Sequence, residues 1–380
     1  MAYRVLTVDK EPFSELADHG VFDVGVVGGG VIGLMAALEF AKRGLRVILF
    51  EKEQDFGLEV SSAHSGVIHV LQPPFHSKKS RLARKGNRMY DRLCADLGVS
   101  LLRVPALLVV QSWSQVASLV AGYLYLRLVL HGEYRISLLF RKSLRALEPA
   151  LSTDVVAGIA VYGYGIVDGQ ALVYRLVSAL SERGVVLKPS CGVTGSRVCE
   201  QSVSVSTNCG TYACSFVVNA AGLSADKVAK CLGDDLGRLS RGAGVTLEVE
   251  GLSTKCIITR FSLRGSSRTK GGGIIPTLQG TVLIGPSFWE AAENETPRPE
   301  DSKVQELVDR FSPLLFLTAP ISVKGVKVGV RPLSPTGDFV VMATKRGRVV
   351  HLLGMESPGL TAAPALAQII ADYVCAKRTG

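Results

Sequence analysis

Three glycines and one acid define the first chemistry this chain can do. Gly28, Gly30 and Gly33 keep the spacing G-x-G-x-x-G directly after the apolar run Val24, Val26 and Val27, and Glu51 closes a second apolar run, Val47 to Leu49. In such a pattern the first glycine makes a tight turn, the second lets a pyrophosphate approach the backbone, and the third lets a helix press on a strand. The Glu51 carboxylate is placed to accept both ribose hydroxyls of an adenosine, which argues against a 2′-phosphate. An adenine dinucleotide is therefore expected, and FAD and NAD both fit. A second anion cradle follows late in the chain, where the turn Met355-Glu356-Ser357-Pro358-Gly359 opens a helix expected from about Thr361. Two helix N-termini, distant in sequence, could thus serve one ligand. Between them lies Ser61-Ser62-Ala63-His64-Ser65-Gly66-Val67-Ile68-His69, small enough to pass close to a flat cofactor. Taken alone, His69 reads best as an ordinary loop or core histidine.

These groups need elements to hold them. Residues 22 to 51 read as one βαβ unit whose helix carries Leu34, Ala37, Leu38 and Ala41 on one face and stops at Gly44. Helices are predicted over 77–98 and 113–131, with a strand over 101–111. Asp168 caps a helix over 170–183. From Val185 to Val218 apolar and polar residues alternate as in antiparallel strands, with turns at Gly195 and at 208–210. The run then enters Asn219-Ala220-Ala221-Gly222, where only close packing on a backbone or cofactor would demand such small residues. Residues 238–290 are β-rich, 293–301 form a surface loop, a helix runs to Phe311, and strands surround Gly329 to Pro332.

The 380 residues suit two domains, and 47% hydrophobic with 20% charged residues describes a folded protein. Lys and Arg exceed Asp and Glu by 43 − 33 = 10, so anions are attracted. The densest basic stretch puts Arg81, Arg84, Lys85, Arg88 and Arg92 on one helical face. A solvated face is the leading reading, with membrane or partner docking second. No stacking aromatics interleave these cations, so no nucleic acid is expected as a partner. None of the eight cysteines forms C-x-x-C, and no His/Cys cluster has zinc spacing, so no metal is expected. Idle thiols are the default, with cross-links among the four from Cys191 to Cys214 as the alternative. The first twenty residues lack a leader pattern, and Val116 to Leu130, fifteen residues interrupted by Arg127, is too short to span a bilayer. A cytoplasmic location follows as the expectation, with peripheral contact at the inner face of a membrane as its variant.

Six blocks in order carry a resemblance: the dinucleotide unit, SSAHSGVIH, GIVDGQAL at 165–172, VVNAAGLSAD at 217–226, GVRPLSPTGDF at 329–339 and GMESPGLTAAPALA at 354–367. Across residues 22 to 375 the chain resembles the FAD-dependent D-amino-acid-oxidase-like superfamily, in the branch of glycerol-3-phosphate oxidases and dehydrogenases and L-2-hydroxyglutarate dehydrogenases. The resemblance implies an α/β fold, a Rossmann-like FAD-binding domain (1–98, 150–235 and 325–380) with an inserted antiparallel β-rich substrate domain (99–149 and 236–324). It implies FAD contacts from Gly28, Gly30, Val31, Ile32, Gly33, Glu51 and Lys52, then Ser61, Ser62, Ser65 and Gly66. Val193, Ala221, Gly222, Gly329, Arg331, Ser357, Gly359, Leu360 and Thr361 complete that set. His69 becomes the candidate base for the hydroxyl proton, and Arg331 the clamp for a substrate phosphate or carboxylate. The implied activity is oxidation of the carbinol of a small anionic substrate by hydride transfer to flavin N5. The expected substrate is sn-glycerol 3-phosphate, with L-2-hydroxyglutarate or a glycine- or proline-type amine as alternatives. A quinone, an electron-transfer protein or oxygen would take the electrons. The chain departs from its relatives at Val70 and Leu71, where a small residue and glycine are usual, and at Ala243, Gly244 and Val245.

Overall fold

The computed structural model describes residues 20–262, 271–292 and 295–379. Expectations for 1–19, 263–270, 293, 294 and 380 lie outside the described residues. The first half of the chain runs β1 (Phe22–Val27), α1 (Val31–Lys42), β2 (Val47–Phe50), β3 (Val67–Ile68), α2 (Lys78–Leu97), β4 (Leu101–Val110), α3 (Val116–Leu130), β5 (Ile136–Phe140), α4 (Arg141–Leu147), β6 (Ala157–Val167) and α5 (Gly169–Glu182). Then come β7 (Val186–Lys188), β8 (Val193–Val198), β9 (Val203–Thr207), β10 (Gly210–Asn219), α6 (Ala225–Cys231), β11 (Ser240–Glu250), β12 (Ile257–Arg260), β13 (Gly273–Pro276), β14 (Val282–Gly285) and β15 (Trp289–Ala291). The chain closes with α7 (Asp301–Phe311), β16 (Ser322–Leu333), β17 (Val340–Thr344), β18 (Val349–Leu353) and α8 (Gly359–Thr379).

One sheet has the path β17-β18-β10-β1-β2-β7, with β9 beside β10 and β8 beside β9. Its centre is parallel: β1 lies between β2 and β10, and β10 lies beside β18. Strands covered on both sides must be apolar throughout, and β2, Val-Ile-Leu-Phe, is buried at every position. Helices α1 and α8 pack on one another, and α2 lies against α8. Their shared core includes Leu34, Phe40, Tyr90, Leu366 and Ile370. This is the Rossmann-like half, a mixed α/β fold as the sequence implied.

A second, ten-stranded sheet is mostly antiparallel and is built from β3 to β6 and β11 to β16. The boundaries expected at 150 and 325 do not follow the sheets. β6 pairs with β4 and β5, and most of β16 pairs with β11, so residues 157–167 and 322–333 hydrogen-bond into the second sheet. The apolar-polar alternation of these strands fixes their type but not their partner, which is why sequence could not place them.

Local expectations fared unevenly. Asp168 does cap α5, its carboxylate accepting from Gln170 N and Ala171 N. Gly195 is not a turn; it lies inside β8 at a register irregularity, and the chain reverses over 199–202. α8 starts two residues earlier than expected, at Gly359. None of the eight cysteines forms a disulfide, so the cross-links raised for Cys191 to Cys214 are not formed. Trp113–Leu130 and Gly359–Arg378 are each helical stretches long and apolar enough to cross a membrane, in contrast to the shorter span expected for the first. The second of these is a core helix, largely enclosed between α1 and α2.

Candidate active site

A cavity of about 1070 Å³ runs from the C-terminal edge of the parallel strands into the second sheet. It exceeds the volume of most single small-molecule pockets, leaving room for a dinucleotide and a small substrate together.

Its nucleotide end is shaped by backbone. Gly28 has φ +107°, and a Cβ there would fall 2.5 Å from Ala220 O. Gly33 does not line the cavity: a Cβ on it would run into Gly28 O, so its task is to let α1 lie against the turn. Gly30 faces the cavity at the start of α1, where a side chain would point toward Ser61 Oγ, 3.1 Å from the Cβ position. Ser61 Oγ accepts from Val31 N at 3.0 Å, so a neutral hydroxyl sits among the helix-start amides, compatible with a phosphate. Glu51 is held by Gly29 N on one oxygen (2.7 Å) and Glu53 N on the other (2.9 Å). Each oxygen retains lone-pair capacity for a ribose hydroxyl. Lys52 lines the same stretch while paired to Glu53 and Glu59. Val193, Ala221 and Gly222 close this end.

The Asn-Ala-Ala-Gly turn is fixed by two residues that sequence reading passed over. Asn219 Oδ1 accepts from Ala221 N at 3.2 Å, and its amide donates to Ala225 O and to His351 Nδ1. With Nδ1 accepting, His351 carries its proton on Nε2, which faces Asp234 Oδ2 at 3.2 Å. Burial lowers the His351 pKa while Asp234 opposes that shift. A polar residue inside each of two apolar strands was the available signal.

Midway along the cavity, Ser65 and Gly66 line the wall as expected, but Ser62 does not. Its hydroxyl donates to Leu58 O and Glu59 O, closing a turn at the exposed surface, so Ser62, expected to contact the flavin, is not among the residues lining the cavity. His64 lines the cavity instead. Gly66 N donates to His64 Nδ1 at 3.1 Å, leaving Nε2 buried without a hydrogen-bond partner among the described residues. Burial pulls this imidazole down to about 4, with its own backbone and Asp168 opposing, so it is neutral at pH 7.

At the far end two elements converge on the start of α8. His69 N donates to Thr361 Oγ1 at 3.0 Å, and Tyr90 Oη donates to Leu360 O at 2.6 Å. Ser357, Gly359, Leu360 and Thr361 all line the cavity, as do Val31, Ile32 and Gly329, and a Cβ on Gly359 would lie 3.6 Å from Ile32 Cδ1. Asn87 Nδ2 donates to His69 O at 3.1 Å, and the His69 ring meets Tyr164 edge-on at 5.9 Å. Arg331 sits on β16 opposite Gly242 of β11, its guanidinium 5.2 Å from the Phe288 ring centre. Burial lowers its pKa, and Glu356 opposes that shift. Glu356 is itself buried and ion-paired to buried Lys79, so the acid at the turn before α8 connects two cations. Of the two bulkier residues after His69, Leu71 lines the cavity, whereas Val70 belongs to the core beneath it.

These features define a dinucleotide-binding fold whose cradle opens into a compartment lined by Arg331 and His69. The chain belongs to the DAO family of FAD-dependent oxidoreductases, whose family model matches residues 23–373. It is 28% identical over 360 residues to the glycerol 3-phosphate dehydrogenase of Caloramator mitchellensis, covering 93% of this chain and 74% of that one. It is 27% identical over 361 residues to the glycerol 3-phosphate oxidase of Mycoplasma pneumoniae, covering 90% and 92%. Among solved structures, the dithionite-reduced, FAD-bound L-α-glycerophosphate oxidase of Mycoplasma pneumoniae matches with a TM-score of 0.82 at 24% identity, over 93% and 95% of the two chains. The cofactor is therefore FAD, and the cradle fits it: a Cβ on Gly30 would enter the space beside the α1 amides, and the Glu51 carboxylate faces the same end.

Proposed function

We propose that this flavoenzyme oxidises the carbinol carbon of a small anionic substrate, with sn-glycerol 3-phosphate first, L-2-hydroxyglutarate second and a glycine- or proline-type amine third. The observation that carries the reading is that Arg331 and His69 line the same cavity as the start of α8, with His69 N donating to Thr361 Oγ1. Two of the relatives are named for glycerol 3-phosphate, which supports the order given. A relative from Pongo abelii, 25% identical, is an L-2-hydroxyglutarate dehydrogenase, which supports the runner-up.

In this reading Gly28, Gly30, Val31, Ile32, Glu51, Lys52, Ser61, Ser65, Gly66, Val193, Ala221, Gly222, Gly329, Ser357, Gly359, Leu360 and Thr361 hold FAD, and Gly33 acts by letting α1 approach. Bound FAD supplies a two-electron acceptor. Arg331 offers its planar fork to a phosphate or carboxylate, fixing which end of the substrate faces inward. A ring nitrogen of His69 takes the hydroxyl proton as the adjacent C–H electrons leave. The α8 N-terminus adds a positive dipole where negative charge develops. Lys79, paired to Glu356, holds the turn that sets this helix end. Reoxidation falls to a quinone, an electron-transfer protein or oxygen, and the reaction is assigned to the cytoplasmic side.

Anaerobic bleaching of the visible flavin band, with sn-glycerol 3-phosphate, L-2-hydroxyglutarate and L-proline in separate cuvettes, tests the assignment. Fast bleaching by the first alone is expected. Bleaching only by another moves the substrate down the order, and none by any, in protein that dithionite still reduces, overturns it. His69→Ala should slow reduction about 100-fold or more with little change in substrate binding. An unchanged rate removes His69 as base.

A further inference from the structure

A helix on a soluble surface normally turns a polar face to water. α2 obeys this rule: Arg81, Lys85, Arg88 and Arg92 are exposed, and its buried residues face α8. α3 does not. Its buried face is Leu119, Gly122, Leu126 and Leu130, and the opposite face is Ala117, Ala121, Leu124 and Leu128. Leu124 is 60% and Leu128 68% exposed, and Trp113, just before the helix, is 58% exposed. Of the fifteen large exposed hydrophobic residues among those described, five fall between Trp113 and Phe140, which makes this a patch rather than scatter.

The charge around the patch says what covers it. Arg127, Arg135, Arg141, Lys142 and Arg145 are all exposed in the α3–β5–α4 segment, against one acid, Glu133, which Arg88 pairs at 2.7 Å. The Arg141 guanidinium lies 5.7 Å from the Trp113 ring centre, joining the cationic edge to the apolar face. We propose that this face of α3 docks the protein on an anionic lipid bilayer. Leucines and Trp113 enter the interfacial layer while the arginines and lysine meet the headgroups. A second copy of the chain would bring the same positive excess against itself, which disfavours a symmetric dimer through this patch. The helix lies on the membrane and does not cross it, because Leu119, Leu126 and Leu130 are committed to the core of the second sheet. The basic face of α2 reads first as solvated and only second as a membrane or partner contact; the proposal puts that contact on α3 instead.

The test is co-sedimentation of the yellow holoprotein with vesicles of phosphatidylcholine alone and of equal parts phosphatidylcholine and phosphatidylglycerol. Binding to the anionic vesicles only, weakened by salt, is expected. Leu124→Gln with Leu128→Gln should weaken that binding about tenfold or more while flavin content and turnover with a soluble acceptor stay unchanged. Arg141→Gln with Lys142→Gln should weaken it and flatten its salt dependence. Wild-type protein that stays in the supernatant, or leucine variants that bind as wild type does, overturns the proposal. So does a wild-type dimer in solution that the leucine variants convert to monomer, which would assign the patch to a second copy.

Discussion

The two ends of the cavity are built by different means. At the nucleotide end the ligand space is defined mainly by the main chain: the Gly28 turn, the α1 amides and the small residues after Asn219, with Glu51 and Ser61 adding side chains. At the substrate end it is defined by side chains delivered from separate elements, Arg331 from β16, Leu71 from the loop after β3 and Tyr125 from α3. A ligand gripped by backbone imposes glycine at fixed spacing, so that end is written contiguously. A ligand gripped by side chains can be met from many scaffold positions, so the other end leaves no local pattern.

The comparison can be broken first at its strongest point. Gly33→Val should cost about 3 kcal/mol or more and abolish soluble protein, because the new side chain meets Gly28 O of the turn. Gly30→Val, facing open cavity, should fold but remain colourless; thermal melts and visible spectra of the pair separate the two roles. A yellow Gly30→Val protein ends the claim that backbone proximity reads the cofactor.

The next effect marks the border between the two ends. Unfolded chains protonate histidine near 6.5, whereas His64 in the fold does so only near 4. The unfolded state therefore binds the extra proton between those values, and stability is lost as pH falls through that window, by a total on the order of 3 kcal/mol. Urea unfolding across this range should show a shallower slope for His64→Asn. Some slope remains because burial lowers the His351 pKa too. An unaltered slope would mean that His64 is solvated. The smallest effect belongs to the substrate end: Arg331→Lys should raise KM about tenfold with kcat nearly unchanged, and wild-type steady-state kinetics would remove the clamp.

The same contrast explains what the sequence could say. The βαβ unit was legible because strand, glycines, helix and Glu51 each carry a local signature. Asp168 was legible because a cap is a local hydrogen bond. Ser62 was misplaced because two adjacent serines look alike in sequence, and only the turn decides that Ser61 reaches α1 while Ser62 closes on Leu58 and Glu59. The strand type of β6 was legible and its sheet was not, since its pairing with β4 joins residues far apart in the chain, such as Ile159 opposite Leu108. The Lys79–Glu356 and Asn219–His351 pairs join segments distant in the chain, and nothing near either partner announces the other.

The clasp between the earliest and latest described elements has a consequence for biosynthesis. α1 buries its apolar face against α8, Arg43 pairs with Asp372 at 2.8 Å, and Asp23 pairs with Arg378 at 3.1 Å. β1 needs β10 beside it, and β10 needs β18. A ribosome that has translated the glycine turn and β2 has therefore made only a fragment that still lacks β10, and whose α1 is covered by α8 only after more than three hundred further residues. Chaperone protection of that fragment, and flavin capture only after α8 has been made, are the expected order of maturation.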